Sequence, residues 1–569
     1  MNAKRLLQHY ETIADAPAAI TQLRRFILDL AVRGKLVPQD PNDEPASELL
    51  QRIAKEKALV DRTKRSKREP RHPNDDTKPL QVPTGWASAP LSDLVTVLNG
   101  RAYKQNELLG AGTPVLRVGN LFTSDKWYYS TLQLDEDKYC ETGDLIFAWS
   151  ASFGPFIWDG PKVIYHYHIW KLPLHSQSDL NKLYLYNFLL QKTREIKEAG
   201  RGISMIHMTK DKMERLLVPL PPLAEQHRIV AKVEELMALC DQLEEARTAR
   251  ETTRDRLAAV SFARLNSPDP ETFHKDARFA LEALPALTAR SDQIKQLRQN
   301  ILNLAVLGKL VPQDCADEPG EELLALLLRD RKHKRKLAQL DKDELEVPLP
   351  DIPSQWRWAT VDQLSADEDN AITDGPFGSQ LKTDHYIRAP GFRVIRLQNV
   401  GGGIFRGEHR SYIDQGRFER LSKHHVRQGD LVVAGLVDPS MRCCVVPDDI
   451  GPALVKADCY RFAVHPALSS RFVLHFLNSP LAQNFAVVHH HGMTLTRIGL
   501  GNFRRIPVPL PPLAEQHRIV TKVDELMALC DQLETSLKSA DDTRRKLLDA
   551  LLAEALAPVI VGDIQEAAE

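Results

Sequence analysis

The chain has 569 residues, more than one ordinary hydrophobic core holds, and this length predicts about three or four domains. Hydrophobic residues make up 43% and charged residues 27%, as in a globular protein. No apolar run reaches the roughly 18 residues of a membrane span, and residues 1–10 lack a signal-peptide core, so we expect a cytoplasmic protein. The net charge of −1 disfavours a protein that coats nucleic acid alone, and seven Cys without a CxxC spacing disfavour a disulfide framework or a zinc site.

The first predicted element is a helix over residues 22–34, where apolar residues recur with helical spacing and Gly34 has the position of a C-cap. The segment around it, residues 22–50, returns at residues 296–324 with 21 of 29 identities at an offset of 274. The second copy therefore predicts a second helix, which ends at Gly308.

Residues 80–217 form an insert that predicts a mixed α/β domain. Trp86 stands near its start, Arg117 and Asn120 are three apart after an apolar run, and a Gly-Asp-Leu triplet ends at Leu145. The predicted strands are Pro114–Val118, Leu145–Trp149 and Val163–Lys171, and the predicted helix covers residues 179–199.

Residues 218–244 follow this insert and predict a long helix. Its apolar residues recur in alternating steps of four and three, which is an a/d seam typical of a coiled-coil contact. The seam residues are Ile229, Val233, Leu236, Cys240 and Leu243. The helix begins after three prolines at Leu223 and extends to about residue 265, or roughly 60 Å. Residues 508–534 repeat the same string with 25 of 27 identities at an offset of 290.

A second insert, residues 350–507, shares only a skeleton with the first. Trp356, the spacing of Arg396 and Asn399, and a Gly-Asp-Leu triplet that ends at Leu431 repeat the landmarks of the first insert. The predicted strands are Phe392–Leu397, Leu431–Ala434 and Tyr460–Val464, and the predicted helix covers residues 469–487. Near-identical frames thus enclose two divergent inserts, which favours two different reading heads held at a fixed separation.

Four strings give the chain a family resemblance. They are Pro219–Gln226 (PLPPLAEQ), its copy Pro509–Gln516, Asp374–Lys382 (DGPFGSQLK) and Phe147–Gly154 (FAWSASFG). With these strings in this order, the chain resembles the specificity subunits of type I restriction-modification systems over nearly its whole length. It departs from the family's pattern in the first insert, which has no clear GlyProPheGlySer string, and in the long helical segments before each insert.

The resemblance implies an α+β fold: two mixed α/β target recognition domains joined by long antiparallel coiled-coil helices, an internal tandem repeat in a pseudo-two-fold arrangement. Each domain would read one half of a bipartite asymmetric site in double-stranded DNA, and the helical spacer would set the gap between the half-sites. The frames would dock two methylase subunits, while restriction and translocation belong to separate subunits. No catalysis and no cofactor are implied for this chain; S-adenosylmethionine, ATP and Mg²⁺ are expected in the partner subunits.

The predicted division of the chain has five segments. They are an N-terminal helical frame (1–79), a first target recognition domain (80–217), a central helical frame (218–348), a second target recognition domain (349–507) and a C-terminal helical frame (508–569).

Base reading in the major groove uses polar side chains at strand ends and loops, and the inserts supply candidates. In the first insert they are Arg117, Asn120, Ser150, Ser152, Arg201, Ser204, His207 and Lys210. In the second they are Ser379, Gln380, Lys382, Arg396, Asn399, Arg442, Thr494, Thr496 and Arg497. For each of these, a structural hydrogen bond or simple solvation is an equal alternative.

The repeated frames supply candidates for methylase docking or for the coiled coil. They are Leu223, Glu225, Gln226, Ile229, Val233 and Leu236, with Leu513, Glu515, Gln516, Ile519, Val523 and Leu526 in the second copy.

Other charged and aromatic features have ordinary interpretations. The basic runs 64–68 and 331–336 are interpreted as a solvated face or linker, with phosphate contact as the lesser alternative. The nine Lys or Arg of residues 388–427 are interpreted as phosphate-positioning, with a solvated strand and turn as the alternative. The triplet His489–His491 lacks accompanying acids or cysteines, so a loop is favoured over a metal site. Further expectations are that Trp149, Trp158 and Trp170 lie in the core, and that Asp144 and Asp430 form turns.

No Walker A string, amino-methylase string, Gly-rich cofactor loop or GxSxG is visible, which agrees with a subunit that performs no chemistry. Two alternatives stay open. A fused enzyme would methylate or cut DNA as an isolated chain, and a coiled-coil scaffold with protein-binding inserts would give no DNA footprint with any partner.

Overall fold

A computed structural model of the chain describes residues 13–63, 81–150, 153–199, 208–266, 271–329, 331–333, 335–341, 345, 347–388, 390–436, 440–488, 490–491 and 497–557. The chain divides into two compact units. Met1–Ala249 and Asp541–Glu569 form the first unit, and Arg250–Ala540 form the second.

The first unit combines frame helices with one α/β head. Its helices are α1 (Ala19–Val32), α2 (Ala46–Thr63), α3 (Leu91–Leu94), α4 (Val118–Phe122), α5 (Lys182–Ala199), α6 (Lys210–Glu214) and the part of α7 (Leu223–Asn266) up to residue 249. Its strands are β1 (Ala87–Pro90), β2 (Leu98–Asn99), β3 (Thr113–Leu116), β4 (Tyr128–Ser130), β5 (Tyr139–Cys140), β6 (Leu145–Ala148), β7 (Gly154–Ile157), β8 (Val163–Tyr165), β9 (Ile169–Lys171) and β10 (Leu217–Leu220).

Two four-stranded sheets and a two-stranded ribbon form the first head. The strand orders are β2-β9-β6-β7, β4-β3-β8-β5 and β1-β10. Strands β3 and β8 are parallel, with Val115 opposite Ile164, and the other pairs are antiparallel. Because β8 lies in one sheet and β9 in the other, the short turn between them joins the two sheets.

The alternation of side chains along β6 explains the layering of this head. Leu145 and Phe147 lie in the cluster that contains Phe188 of α5, whereas Ile146 lies in the cluster that contains Leu116 of β3. Successive side chains of a strand point to opposite faces, so one face of this sheet packs on the helix and the other on the second sheet.

The second unit has the same parts. Its helices are the rest of α7 from residue 250, α8 (Phe273–Glu282), α9 (Leu284–Leu287), α10 (Ser291–Val306), α11 (Gly320–Arg329), α12 (Gln415–Arg420), α13 (Ser470–Leu477), α14 (Pro480–Val488), α15 (Leu500–Arg505) and α16 (Leu513–Leu556) up to residue 540. Its strands are β11 (Arg357–Thr360), β12 (Ile372–Asp374), β13 (Phe392–Ile395), β14 (Tyr412–Ile413), β15 (His425–Val426), β16 (Leu431–Ala434), β17 (Arg442–Val445), β18 (Ala453–Val455), β19 (Cys459–Phe462), β20 (His490–His491), β21 (Arg497–Ile498) and β22 (Pro507–Leu510).

The second head repeats the strand topology of the first. Its four-stranded sheets have the orders β12-β19-β16-β17 and β14-β13-β18-β15, and its ribbons are β11-β22 and β20-β21. Strands β13 and β18 are again the parallel pair, with Val394 opposite Leu454. The turn between β18 and β19 therefore corresponds to the turn between β8 and β9.

The seam predicted for the long helices is buried inside each unit. The buried seam residues are Ile229, Val233 and Cys240 in the first unit and Ile519, Val523 and Cys530 in the second. They pack with α1 and Trp86 in the first unit, and with α10 and Trp356 in the second. Leu243 and Leu533, which the sequence places on the seam, are each 37% exposed and lie outside this contact.

The glycines that follow α1 and α10 confirm the predicted C-caps. Gly34 has φ +66° and Gly308 has φ +68°, the left-handed region that glycine enters without strain. A Cβ at Gly34 would lie 2.5 Å from Cγ of Pro83, and one at Gly308 would lie 2.4 Å from Cγ of Pro353. Glycine therefore serves both the turn and the close approach of the head.

The ends of the long helices have different neighbours in the two units. In the first unit, Leu548 of α16 packs with Phe26 and Leu30 of α1. In the second unit, Phe262 of α7 packs with Leu287 of α9, and Asn266 donates a hydrogen bond to the side chain of Asn300.

Two predicted elements are wrong because a break was missed. Val163–Lys171 is two strands separated by the turn His166–His168, which contains neither Gly nor Pro and so gave no break signal. The helix predicted over residues 469–487 is two helices, because Pro480 begins a new one.

The basic run 331–336 has a structural role in the residues that are described. Nη2 of Arg331 donates to the backbone oxygen of Ser365 at 2.6 Å, and Arg335 pairs with buried Asp362 at 2.8 Å. These two arginines hold the segment against the second head, which corrects the interpretation of this run as a solvated linker. The other run, residues 64–68, lies outside the described residues.

Candidate nucleic-acid interface

One edge of each head gathers strand ends and the turn that joins its two sheets. We define the first rim as Arg117, Trp149, Ser150 and the turn His166–His168. We define the second rim as Arg396, Arg442, Arg497 and the turn Lys456–Asp458. Arg117 and Arg396 directly follow the parallel strands β3 and β13, so the rims occupy equivalent places.

The backbone hydrogen bonds of the two rims correspond one to one. In the first rim, His166 N donates to Leu116 O at 2.9 Å, Trp149 N to His168 O at 3.0 Å, and Ile169 N to His166 O at 2.9 Å. In the second rim, Lys456 N donates to Ile395 O at 2.8 Å, Gly435 N to Asp458 O at 2.8 Å, and Cys459 N to Lys456 O at 3.0 Å. The two turns are therefore anchored to their sheets by the same three bonds.

The Arg-x-x-Asn spacing forms a turn at the end of each parallel strand. Asn399 is fully buried; its Oδ1 accepts from Arg396 N at 3.0 Å and its Nδ2 donates to two backbone oxygens. Asn120 makes the same contact, accepting from Arg117 N at 3.1 Å and donating to two backbone oxygens. Of the alternatives left open for these two asparagines, the geometry favours the structural hydrogen bond, because both amides hold the turn.

The arginines of the same motif remain exposed. The guanidinium of Arg117 lies 5.2 Å from the ring centre of Tyr128, and that of Arg396 lies 5.7 Å from the ring centre of Tyr386. A cation over an aromatic face is held in position while its outward N–H groups stay available. The motif thus presents one oriented arginine on each rim.

Aromatic rings and histidines dominate the first rim. The Trp149 ring lies 5.0 Å from that of His168 and 6.1 Å from that of Tyr167, whose side chain is 40% exposed. Burial, with His168 and Arg117 nearby, lowers the pKa of His166 to about 4, so this imidazole is neutral near pH 7. Trp158 and Trp170 are buried as expected, whereas Trp149 is half-buried at the rim, beside the half-buried Ser150.

Charged side chains dominate the second rim. Arg497 pairs with Asp458 at 3.1 Å, and Nζ of Lys456 donates to Leu381 O at 2.5 Å. Burial and the nearby Arg396 lower the pKa of Lys456. Arg442, at the start of β17, is half-buried.

The GlyProPheGlySer string forms a loop beside the second rim. A Cβ at Gly375 would lie 2.1 Å from the backbone carbon of Lys456, so glycine is required for this approach. Phe377 is 51% exposed, and the candidates Ser379, Gln380 and Lys382 are exposed on the same loop. The loop therefore extends the surface of the second rim.

Several candidates cannot be placed or have other roles. Ser152, Arg201, Ser204, His207, Thr494 and Thr496 lie outside the described residues. Nζ of Lys210 donates to Val97 O at 2.7 Å and lies 3.5 Å from Glu214, so this lysine is engaged within the head.

The basic stretch 388–427 serves two purposes. Arg393 is buried and donates to the backbone of Gly407 and His409, while Arg427 pairs with Glu368 at 2.6 Å. Its other exposed basic residues are Arg388, Arg396, Arg406, Arg410, Arg420 and Lys423. Only part of the stretch is therefore free to position phosphates.

The LeuAlaGluGln residues of each long helix form a joint between frame and head. Oε2 of Glu225 accepts from Nε1 of Trp86 at 2.9 Å, and Oε1 of Gln226 accepts from Asn181 N at 2.8 Å. The second copy is the same: Glu515 accepts from Trp356 at 2.9 Å, and Gln516 accepts from Ser469 N at 3.0 Å.

These four joint residues are at most 1% exposed, and burial is the largest cause of a raised pKa at Glu225 and Glu515. Docking of a partner is not open to them, because they are covered by their own chain. The frame candidates were predicted to serve either methylase docking or the coiled coil. Helix packing also buries Ile229 and Val233, with their copies Ile519 and Val523, which fits the coiled-coil alternative. Leu236 and Leu526 are half-buried in the same seam, and Leu223 and Leu513 lie at the helix starts.

An apolar patch on the long helices was not predicted. Leu239 is 47% exposed and Leu529, its copy, is 52% exposed. Ala238 and Gln242, with their copies Ala528 and Gln532, are exposed beside them. The signal was present in the repeat, because identical residues recur at positions that the core does not constrain.

Two further expectations concern metals and membranes. Among the described residues, no group of three or more His, Cys, Asp or Glu is placed to hold a metal ion, and His489 lies outside them. Within the same part of the chain, none of the helices combines the length and the apolar character that crossing a membrane requires.

A family model described as the type I restriction modification DNA specificity domain matches residues 83–250 and 446–540. The specificity subunits of the type I restriction enzymes EcoEI and EcoAI of Escherichia coli are each 28% identical to the chain, over 572 and 568 residues, which is 94% of this chain and 94% of each relative.

Two solved structures are similar in outline. One, from work on complex assembly and conformational transition of the type I R-M system, matches 85% of this chain and 100% of its own, with 17% identity and a TM-score of 0.48. The other, the HsdS subunit from Thermoanaerobacter tengcongensis, matches 84% of this chain and 98% of its own, with 17% identity and a TM-score of 0.37.

Proposed function

Because this chain belongs to the DNA specificity subunits of type I restriction-modification systems, we propose that each head reads one half of a split DNA site through its rim. The first rim reads one half-site and the second rim reads the other. The chain recognises DNA and performs no chemistry, so it needs no cofactor of its own. S-adenosylmethionine, ATP and Mg²⁺ belong to the methylase and restriction subunits with which it acts.

One observation carries this proposal. The two rims have the same three backbone anchors, yet their turns carry His-Tyr-His in one head and Lys-Ala-Asp in the other. A scaffold that holds constant backbone points while the side chains differ suits the reading of two different short sequences. Oriented arginines on both rims supply the charge that attracts DNA.

The exposed patch around Leu239 and its copy around Leu529 is the surface we assign to the methylase subunits. The patch occurs twice with the same residues, so it suits a partner that binds in two identical copies. The sequence similarity between α7 and α16 ends at Glu244 and Glu534, just beyond the patch. An exposed leucine held constant in both copies is explained by a shared partner rather than by a core.

The patch is tested by counting methylase subunits per chain with native mass spectrometry. Leu239→Glu is expected to reduce two methylase subunits to one, and the double variant with Leu529→Glu to none. Leu59→Glu is the matched control, because Leu59 is 62% exposed on α2 and has no leucine at its repeat position. Two methylase subunits on the double variant would show that the patch is not the docking surface.

The reading function is tested by footprinting the chain in complex with its methylase subunits. Protection of two short segments at a constant separation is the expected result, and the protected bases give the target sequence. A protein-binding scaffold would leave DNA unprotected with every combination of partners, and that result would refute the proposed function. Methylation by the isolated chain in the presence of S-adenosylmethionine would support an enzyme instead.

A further inference from the structure

The turn between β8 and β9 has a special place in the first head. It is the link between the two four-stranded sheets, and it lies between Arg117 at the end of β3 and Trp149 at the end of β6. Its central residue, Tyr167, is 40% exposed, while the strands on both sides of it are largely buried. Because the Tyr167 side chain projects from the middle of the first rim, it has room to enter a DNA groove.

The turn is held rigidly by its surroundings. Besides the three backbone anchors, Nε1 of Trp149 donates to Tyr167 O at 2.8 Å and Tyr167 N donates to Arg101 O at 3.0 Å. The ring of Tyr167 lies 3.9 Å from that of His168 and 4.5 Å from that of His166. A contact surface that is ordered before binding loses little side-chain entropy when DNA arrives.

The chemistry of this turn suits bases better than phosphates. His166 is neutral near pH 7, since its pKa is lowered to about 4, and a neutral imidazole both donates and accepts hydrogen bonds. The Tyr167 hydroxyl also both donates and accepts hydrogen bonds. The ring faces of His166 and Tyr167 offer apolar contact to a thymine methyl group. Neither of these two side chains supplies the fixed positive charge that phosphate contacts use.

The corresponding turn of the second head offers a different set of groups from the same backbone points. Beyond the N–H that it donates to Leu381 O, the Lys456 ammonium has two further donors that suit guanine O6 and N7, and Asp458 supplies an acceptor that suits the cytosine amino group. Arg497, 3.1 Å from Asp458, adds a further donor at the same place. Ala457 replaces the exposed tyrosine, so the second turn has no projecting ring.

We propose that this turn is the base-reading element of both heads: His166, Tyr167 and His168 read the first half-site, and Lys456, Ala457 and Asp458 read the second. The inference rests on the proposed function, because it names the residues with which each rim discriminates between sequences. It identifies one short segment per head as the main determinant of specificity, beside which Arg117 and Arg396 attract DNA and add a contact within the half-site of their own head.

The test exchanges the turn of the first head for that of the second, with His166→Lys, Tyr167→Ala and His168→Asp in one chain. The full complex with methylase subunits is assayed on duplex libraries in which one half-site at a time is randomised. We expect the preference at one or more base pairs of the first half-site to change by roughly tenfold or more, the effect of losing a good base contact. The preference at the second half-site is expected to stay as in the wild type.

Two further variants provide a fallback in case of misfolding and a matched control. Tyr167→Ala alone changes an exposed side chain and keeps the backbone anchors, so it serves if the triple exchange does not fold. Lys162→Ala, just before the other end of β8, is the matched control, because it changes an exposed residue of the same head away from the rim.

The outcomes separate the inference from the function it rests on. A changed preference confined to the first half-site supports the turn as the reading element. An unchanged first half-site, in a folded variant of a wild type that reads a split site, overturns the turn and leaves the function standing. A wild-type complex with no preference for a split site overturns both.

Discussion

The joints and the rims of the two units show opposite patterns of repetition. At the joints the side chains themselves recur: Trp86 donates to Glu225 and Trp356 donates to Glu515, both at 2.9 Å. Arg228 pairs with Asp43, and Arg518 with Asp317, both at 2.6 Å.

At the rims only the backbone hydrogen bonds recur, and no residue is shared at the three turn positions. Both units therefore orient their heads with the same side chains, whereas the surface that each head presents is specific to it. Each joint is therefore expected to respond to mutation like its copy, and each rim is expected to respond independently.

The largest expected effect is at the joints. Trp86→Ala and Trp356→Ala each remove a buried ring and leave a buried carboxyl group without its donor, so each is expected to destabilise its unit by about 3–5 kcal/mol. Urea denaturation followed by circular dichroism measures the loss. The phenylalanine variants are the controls, since they keep a buried aromatic ring but lose the donor and part of the buried volume. A loss at one joint of less than half that at the other would contradict their equivalence.

An ion pair that is more deeply buried in the second head than in the first distinguishes the two heads. Arg461 and Asp430 lie 2.6 Å apart with side chains 6% and 10% exposed, whereas the corresponding Lys171 and Asp144 lie 2.7 Å apart with side chains 17% and 25% exposed. Asp430→Ala is expected to cost about 2–3 kcal/mol, because it leaves the buried guanidinium of Arg461 with Glu368 as its remaining carboxylate partner. Asp144→Ala is expected to cost only about 1 kcal/mol.

Both aspartates also accept a backbone N–H three residues earlier, as the turn interpretation predicts. The control for the ion pair is therefore the double variant Asp430→Ala with Arg461→Met, which should regain part of the lost stability. Equal losses for the two single variants would show that burial of the pair does not distinguish the heads.

The rim arginines test whether the heads act independently. Arg117→Ala and Arg396→Ala are each expected to weaken binding of the complex to its target by about 1–3 kcal/mol, with the loss confined to the half-site of the mutated head. Competition binding against targets altered in one half-site measures this. Asn120→Ala and Asn399→Ala are expected instead to destabilise the heads, because these amides hold turns. A loss shared by both half-sites after either arginine change would break the modular interpretation.

The extent of sequence prediction follows the same division between frame and rim. The doubled frame, the long helices, the terminal glycines and the oriented Arg117 and Arg396 all come from local repeats and spacings, which a sequence displays directly. The roles of Glu225 and Asn399 were not predictable, because burial by distant parts of the chain decides whether a polar residue serves a surface or an interior.

The turn His166–His168 was missed for a related reason. Its tyrosine and histidines fit the aromatic-rich pattern of a strand, and no Gly or Pro marks the break between β8 and β9. Only the pairing of these strands in different sheets reveals the turn. This turn, at which the two heads share no residue, therefore gives no local sequence signal of a break.

The smallest expected effect is a loss of stability at acid pH that depends on one helix position. Burial lowers the pKa of His475 on α13 to about 4, although Asp524 lies 3.6 Å away and opposes this shift. Counting from the start of the helix, the first unit has Asn187 at this position, a residue that does not titrate. At this helix position the second unit therefore carries a titratable group, whereas the histidine of the first unit with a similarly lowered pKa, His166, lies on the rim.

A histidine whose pKa falls from 6.5 in the unfolded chain to about 4 in the folded protein takes up protons preferentially on unfolding. Its contribution to stability is complete above pH 6.5 and is lost as the pH falls toward 4. Between pH 7 and pH 5 the loss amounts to about 1–2 kcal/mol. His475→Asn, which copies the first unit, is expected to remove this part of the acid sensitivity when urea midpoints are compared at the two pH values. If the midpoint of the variant falls between these pH values as steeply as that of the wild type, His475 is not the group that makes the second unit acid-sensitive.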